Sequence, residues 1–494
     1  DLLIKDSRET LALVDKYESW MDGTVVKLDE DDSIKEFIPG KKFKFEDIPY
    51  YYKTVNIYKF SRHFSETHYV PFLEAYSMAL GNNDYYEQVL RVITMLDDPE
   101  IRAKRLDGQL WYEIDDIQDW DIASSMFNSN NEKKLHLLQA RYGGYWRYPK
   151  LIDFCYLVNP YFPPQKLMDE MKSNMEILLT QYPSGMNVNS LLAAKNFGVH
   201  QNHIVVGNGA AELIKAYMEM ETENIGVIRP TFEEYPNRYA EEKTVTYWAE
   251  NDNFSYGLED LIDFFDDKSI SLLILINPDN PSGNYIRKND LFKLFEWGLK
   301  KKIRMLLDES FCDFADEGQE DATVICEDVI NRYPNLIIVK SISKSYGVPG
   351  IRLGIMVSSD EDIIERVKKS VSIWNINSFG EFYMQIAEKY DKYYKTALEN
   401  IKNERKRFLS ELDVIPGIRA IPSQANYIMC EITNGLTSLE LAEKLLLAYD
   451  IFIKDLSSKV NATGENKQYV RLAVRNEDDN NCLLSALKEI FKAE

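Results

Sequence analysis

The sequence predicts an α/β protein: a parallel sheet covered by helices over the larger part of the chain, with a shorter strand-rich α/β segment in front of it. Three observations predict this. From Gln165 onward helical and strand patterns alternate, as a parallel sheet with helices on its faces requires. Apolar strands there end abruptly in polar residues, Ile276 before Asn277 and Leu307 before Asp308, and open α/β sheets bind ligands at the carboxyl ends of their strands. Before about Phe127 short β-branched runs are separated by turn residues instead.

Size and charge narrow the function classes. A chain of 494 residues that is 45% hydrophobic and 12% aromatic can bury large cores, and its length corresponds to about two to four domains. The net charge of -22 argues against a nucleic-acid backbone or an anionic membrane as partner, because both need basic patches. Basic pockets for small phosphorylated metabolites remain compatible with it. Five cysteines, Cys155, Cys312, Cys326, Cys430 and Cys482, include no Cys-x-x-Cys pair, so neither a disulfide framework nor a zinc site is indicated and a reducing cytoplasm fits. The longest apolar runs, such as Leu272 to Ile276, fall far short of the ~18 residues of a membrane helix.

The chain opens on Asp1-Leu2-Leu3-Ile4, which reads as a strand in mid-domain and raises the expectation of a fragment or processed product. Strands are expected over Leu11 to Asp15, Gly23 to Leu28 and Lys53 to Tyr58, with a Pro39-Gly40 turn, and helices around Val70 to Leu80 and Asp84 to Thr94. An aromatic strand from Leu110 leads into a carboxylate cluster ending at Asp119. Such a cluster suits a hard cation such as magnesium on a nucleotide phosphate; a solvated acidic turn is the competing reading. Asp-Gly-Thr-Val-Val at 22–26, Tyr-Lys-Thr-Val-Asn-Ile-Tyr at 52–58 and Glu-Ile-Asp-Asp-Ile-Gln-Asp at 113–119 resemble the C-terminal half of a sugar-phosphate or phosphocholine-type nucleotidyltransferase. The resemblance covers about a quarter of the chain and implies that residues 1–128 are such a C-terminal portion, with Mg2+ held by Asp115 and Asp1. The family's Gly-rich nucleotide loop belongs to the half not represented here, so the segment is not expected to bind or transfer a nucleotide by itself. The polar run Asn128 to Lys134 has the composition of a linker, assigned to 129–141 together with the helical run to Arg141, and the next domain is expected from Tyr142.

In the second region a helix is expected over Leu167 to Leu179. Ile204 to Asn208 reads as a strand running through Gly209 into a helix that begins at Ala210 and Ala211. Free amides at a helix start bind phosphate, although a plain strand-helix turn reads the same way. Strand Ile225 to Ile228 precedes Phe232, which either stacks on a planar cofactor or packs in the core. Strand Leu272 to Ile276 ends in Asn277-Pro278-Asp279-Asn280-Pro281-Ser282-Gly283, and strand Ile303 to Leu307 in Asp308-Glu309-Ser310-Phe311. Strand Leu336 to Lys340 then delivers Ser341-Ile342-Ser343-Lys344, with Arg352 in a Gly-Ile-Arg-Leu-Gly turn. A lone lysine in a polar loop is ordinarily a surface residue. As an imine-forming amine it must lose its proton more easily than a solvated lysine, whose pKa is about 10.4, so burial or a neighbouring cation is required. Ser341, Ser343 and Arg352 would then grip a phosphate by hydroxyl donation and a bidentate guanidinium contact. That combination asks for pyridoxal 5'-phosphate (PLP).

These motifs, with Tyr469-Val470-Arg471-Leu472 closing the series, stand in the order found in fold-type I PLP enzymes. The region from about Tyr142 resembles the class I/II aminotransferases, histidinol-phosphate aminotransferase and threonine-phosphate decarboxylase in particular. The resemblance implies the PLP-dependent transferase fold over 142–494: a large domain of about 183–390 with a mixed, mostly parallel sheet, and a small α+β domain from 142–182 plus 391–494. It implies that Lys344 holds PLP and shuttles a proton, that Asp308 pairs with the ring nitrogen, that Asn280 donates to the ring 3-oxygen and that Phe232 stacks on the ring. Ser341, Ser343, Arg352 and the amides of Ala210 and Ala211 would bind the cofactor phosphate, with Tyr161 reaching that of the neighbouring subunit in a homodimer. Arg471 matches the arginine that clamps an anionic small-molecule substrate, and Lys454 stands where relatives have the arginine of Ile-Arg-Asp. Phe311 replaces a tyrosine common in aminotransferases and is nearer the decarboxylase branch. The expected function is a PLP-dependent aminotransferase acting on a small phosphorylated or phosphonylated amine or amino acid, such as 2-aminoethylphosphonate, fused to a cytidylyltransferase-like segment. A decarboxylase of the threonine-phosphate type is the alternative, and a non-catalytic PLP-fold scaffold a second one. Intact Lys344, Asp308, Asn280 and Arg352 argue against the scaffold.

Overall fold

Residues 1–96, 101–128, 131–318, 321–460 and 467–492 are described by the computed structural model. The chain divides into two units, Asp1–Arg147 and Tyr148–Glu494.

The first unit is built on a five-stranded sheet of β1 (Leu11–Lys16), β2 (Val25–Leu28), β3 (Ile34–Ile38), β4 (Tyr51–Lys59) and β5 (Arg102–Arg105), in the order β3-β2-β4-β1-β5. Only the β1–β5 ladder is parallel. Ala12, Val14, Val26, Ile34 and Phe37 pack with Val89, Leu90 and Ile93 from the helix Glu87–Ile93, and the helix Val70–Leu80 lies where its apolar spacing predicts it. Three expectations are corrected. Leu2–Lys5 is a helical turn, not a strand: Asp1 precedes it and pairs with Lys5 four residues on, which favours the helical turn over an extended run too short to alternate. Leu110 to Ile114 joins no ladder; the Trp111 indole donates to Asp15 Oδ2 at 2.7 Å, and the parallel edge strand is β5. Residues 131–134, expected in a linker, start the helix Asn131–Ala140, whose Glu, Lys, Leu and Ala content favours helix; residues 129 and 130 lie outside the described residues.

In the second unit a short strand, β6 (Ile152–Asp153), comes first. A seven-stranded sheet follows, made of β7 (Ile204–Asn208), β8 (Ile225–Arg229), β9 (Thr244–Trp248), β10 (Leu272–Ile276), β11 (Arg304–Asp308), β12 (Leu336–Ser341) and β13 (Leu353–Val357). Their order is β7-β13-β12-β11-β10-β8-β9, and all pairs are parallel except those of β13 with β7 and β12. Every residue of β10 and β12 is buried, as strands covered on both faces must be. Alternate residues separate into two cores: Leu273, Leu275, Met305, Leu307 and Ile338 on one face, Ile274, Leu306, Ile337 and Val339 on the other. A smaller antiparallel sheet comprises β14 (Ile418–Ala420), β15 (Tyr427–Ile432), β17 (Lys454–Asp455) and β18 (Gln468–Ala473), while β16 (Ile451–Phe452) pairs in parallel with β6. The helix expected over 167–179 is interrupted at Asn174, which leaves helical geometry between Gln165–Ser173 and Met175–Thr180. No helix among the described residues is long and apolar enough to cross a membrane.

Candidate active site

The reversed strand β13 creates the site. Because it runs against both neighbours, its first residues lie beside the last residues of β7 and β12: Leu353 opposes Asn208, and Gly354 opposes Ser341. The connection from β12 back to β13 therefore begins and ends at the carboxyl edge of the sheet, and it carries Lys344 in a helical turn, Ile342–Ser345, and Arg352. Asn159 secures that turn. Its backbone N donates to Lys344 O at 3.0 Å and its Nδ2 to Ser345 O at 2.9 Å.

Lys344 is half-buried, and its amine is pushed down to about 8, first by burial, then by the charges of Arg471 and Arg352, with Asp308 acting in the opposite sense. Both conditions that the chemistry required of this lysine are present together. Asp308 ends β11 and is buried; its carboxylate accepts from Tyr235 Oη at 2.8 Å and Ser310 N at 2.9 Å, and burial pushes its pKa up.

Arg352 adopts φ 62° and approaches the start of the helix Ala210–Met218. Two glycines permit this. A Cβ on Gly209, itself at φ +76°, would stand 2.2 Å from Arg352 Nη2, and a Cβ on Gly354 would stand 2.3 Å from Ala210 N. No side chain caps that helix, Ser341 N donates to Ser310 Oγ at 3.0 Å, and the buried Ser343 Oγ has no partner. An uncapped helix start at Ala210 and Ala211, a guanidinium and an orphaned hydroxyl form a cradle that fits a phosphate. PLP therefore fits the residues present.

Asn280 is buried, and its Oδ1 accepts from Arg471 Nη1 at 2.7 Å; Arg471 Nη2 donates to Cys155 O at 2.8 Å, while its buried Nε has no partner. The Arg471 guanidinium lies over the Tyr427 ring at 5.5 Å. Lys454 on β17 stands opposite Arg471 in register. Phe232 remains 38% exposed, edge-on to Tyr235 at 6.4 Å, so it is not a core residue here. Tyr161 is half-buried, its backbone N donates to Asn159 Oδ1 at 3.0 Å, and burial raises its pKa. Phe311 is buried, edge-on to Tyr427 at 5.1 Å.

In the first unit one candidate metal ligand is paired and the other is exposed. Asp1 was expected at a strand end and instead precedes a helical turn, 3.6 Å from Lys5. Asp115 is exposed at the entrance to the helix Ile117–Met126. The acidic run there is a capping box: Asp116 accepts from the amides of Gln118 and Asp119, and Asp119 accepts from those of Asp115 and Asp116. Among the described residues no group of three or more His, Cys, Asp and Glu side chains is placed to hold a metal.

Sequence reasoning passed over Tyr235, Asn159 and the buried pair of Lys340 with Asp313, 2.6 Å apart. A lysine inside an otherwise apolar strand was the available signal for the last, since a buried charge requires a partner.

CMP-5'-(3-aminopropyl)phosphonate synthase of Streptomyces rubellomurinus is 28% identical over 469 residues, covering 95% of this chain and 73% of that protein. L-serine phosphate decarboxylase of Sulfurospirillum multivorans is 30% identical over 352 residues, 69% of this chain and 88% of that protein. The crystal structure of histidinol-phosphate aminotransferase from Clostridium acetobutylicum superposes with a TM-score of 0.61 at 29% identity, over 70% of this chain and all of that one. The family model for class I and II aminotransferases matches residues 149–487, and the chain belongs to that family.

Proposed function

We propose that this chain is a PLP-dependent enzyme acting at the amino-bearing carbon of a small phosphorylated or phosphonylated amino acid, and that the bond it breaks is the one to the carboxylate. The observation that carries the PLP reading is Lys344, whose amine is brought down to about 8 among Arg471, Arg352 and Asp308. When bound, PLP supplies an electron-accepting ring. Lys344 would hold it and would move a proton at the substrate carbon. Asp308, fixed by Tyr235 and Ser310, holds the proton on the ring nitrogen. Asn280 would donate to the ring oxygen and Phe232 would stack on the ring. Arg352, Ser341, Ser343 and the amides of Ala210 and Ala211 bind the phosphate. Arg471 and Lys454 hold the substrate's anionic groups.

Decarboxylation is supported by two observations. The relative that is 30% identical is an L-serine phosphate decarboxylase, and Phe311 brings no hydroxyl to the place where many aminotransferases have tyrosine. Transamination is the second reading, supported by the likeness to a histidinol-phosphate aminotransferase at 29% identity. Incubation with O-phosphoserine separates them: CO2 release with the lysine-bound absorbance retained supports the first, whereas conversion to the pyridoxamine form without CO2 overturns it.

We read the first unit, with the 1–128 boundary, as the C-terminal portion of a nucleotidyltransferase. Its motifs support this, as does the similarity to a CMP-phosphonate synthase, which extends over 95% of the chain. We read the enzyme as a homodimer in which Tyr161 reaches the cofactor phosphate of the neighbouring subunit. Sedimentation of the holoenzyme tests that; a monomer with full activity overturns it.

A further inference from the structure

Arg471 and Lys454 stand opposite each other on the antiparallel strands β18 and β17. A third cation joins them. Lys459, in the helical turn Ser457–Val460 that follows β17, is half-buried, and its Nζ donates to Thr231 O at 3.1 Å. Thr231 directly precedes Phe232, so this lysine ties the β17–β18 side of the site to the segment that carries the exposed ring. Its amine is pushed down to about 8, first by burial and then by Arg471, with Lys454 adding to the effect and Glu233 and Asp279 opposing it.

Neither acid neutralises it. Glu233 is paired with Arg229 at 2.9 Å. Asp279 is buried, accepts from Ser282 Oγ at 2.8 Å, and is pushed up by burial to about 7. Arg471 in turn keeps a buried Nε without a partner. Lys454 and Arg471 face each other across the ladder, and Lys459 in the adjoining turn is near enough to feel both charges, so the three repel one another until an anion is present. A carboxylate occupies one guanidinium fork, whereas two compact ammonium groups beside it suit a second, more highly charged group.

We propose that Lys459 is a further substrate-binding residue, which forms with Lys454, beside Arg471, a subsite for the dianionic phosphate or phosphonate end of the substrate. The proposal rests on the phosphorylated-substrate reading above and adds the residue that selects for it. A phosphate monoester becomes a dianion above about pH 6, and Lys459 keeps its proton below about 8. Affinity is therefore greatest between those limits and falls as pH rises through 8. Ionisation of Asp279 near 7 acts in the same direction.

Calorimetric titration of the holoenzyme with 3-aminopropylphosphonate and with propylamine tests this, since the two differ only in the dianionic group. Lys459→Gln is expected to weaken the phosphonate about 10-fold or more, in line with loss of a charge-assisted hydrogen bond. It should leave propylamine unchanged and remove the part of the alkaline fall in affinity centred near pH 8, leaving only the contribution of Asp279, and Lys459→Arg should retain most of the phosphonate affinity. Unchanged phosphonate binding in Lys459→Gln, or equal losses for both ligands, overturns the subsite. A wild-type enzyme that does not distinguish the two ligands overturns both the subsite and the phosphorylated-substrate reading.

Discussion

Two lysines four residues apart, Lys340 inside β12 and Lys344 just beyond its end, have opposite surroundings. Burial works to lower the pKa of Lys340, but the carboxylate of Asp313 more than reverses this, with help from Cys312 and Glu309, so it is held charged. Tyr394 Oη donates to the same Asp313 at 2.9 Å. Around Lys344 the nearby charges of Arg471 and Arg352 act with burial, and Asp308, then Cys155, oppose them without reversing the shift. The first is a saturated ion pair that fixes the strand; the second is an amine kept available. What distinguishes the two lysines is the sign of their neighbours, since burial presses on the charge of both.

The largest effect on this contrast is expected from Lys344→Ala. Turnover should fall by ~10²–10⁴-fold, the range for loss of a positioned acid-base group, and the visible absorbance of the lysine-bound cofactor should vanish while the fold is kept; persistence of that band would refute the assignment. Asp313→Ala attacks the other lysine. It leaves Lys340 charged and unpaired, so denaturant unfolding should show a loss of ~3–5 kcal/mol, with cofactor absorbance per folded molecule preserved; a stability change under 1 kcal/mol would contradict the buried-pair description. Tyr235→Phe is milder. Removing a hydrogen bond to a charged group is worth ~1.5–3 kcal/mol, so the pKa of Asp308 should rise further and cofactor affinity should drop about 10-fold, measured by reconstitution of apoenzyme. The smallest change is in pH dependence. Because the neutral amine of Lys344 is the reactive form, reloading of the cofactor should accelerate as pH rises to about 8 and then level off. Arg471→Met removes a cation that lowers this pKa, so the plateau should begin at higher pH; an unmoved profile would show that burial alone sets it.

Much of the proposed site was legible because the residues assigned to it lie at or beside strand ends, where polar residues interrupt apolar runs. Asp308, Asn280, Lys344 and Arg352 all follow that rule, and all four meet at or beside the carboxyl edge of the seven-stranded sheet. The reversal of β13 was not legible, since parallel and antiparallel pairing leave the same pattern in a fully buried strand. Lys459 was missed because its role depends on Thr231, 228 residues away. In the first unit the acidic run served local structure: Asp116 and Asp119 have the spacing of a helix cap and take up backbone amides, while Asp115 between the aromatic run and the helix stays exposed.

The bond from Arg471 Nη2 to the carbonyl of Cys155 spans 316 positions of the chain, and β6 pairs with β16 across almost as many. During synthesis, at ~5–20 residues per second, the seven-stranded sheet is complete as a sequence at Val357 while Lys454 and Arg471 have yet to be made. The second unit thus passes through a stage in which its sheet is available and its site is open on one side. Loop-closure entropy delays so distant a contact, and the arm around Cys155 has to wait for β16 and β18. A nascent chain stalled before Arg471 should accordingly fold its sheet yet hold no substrate anion.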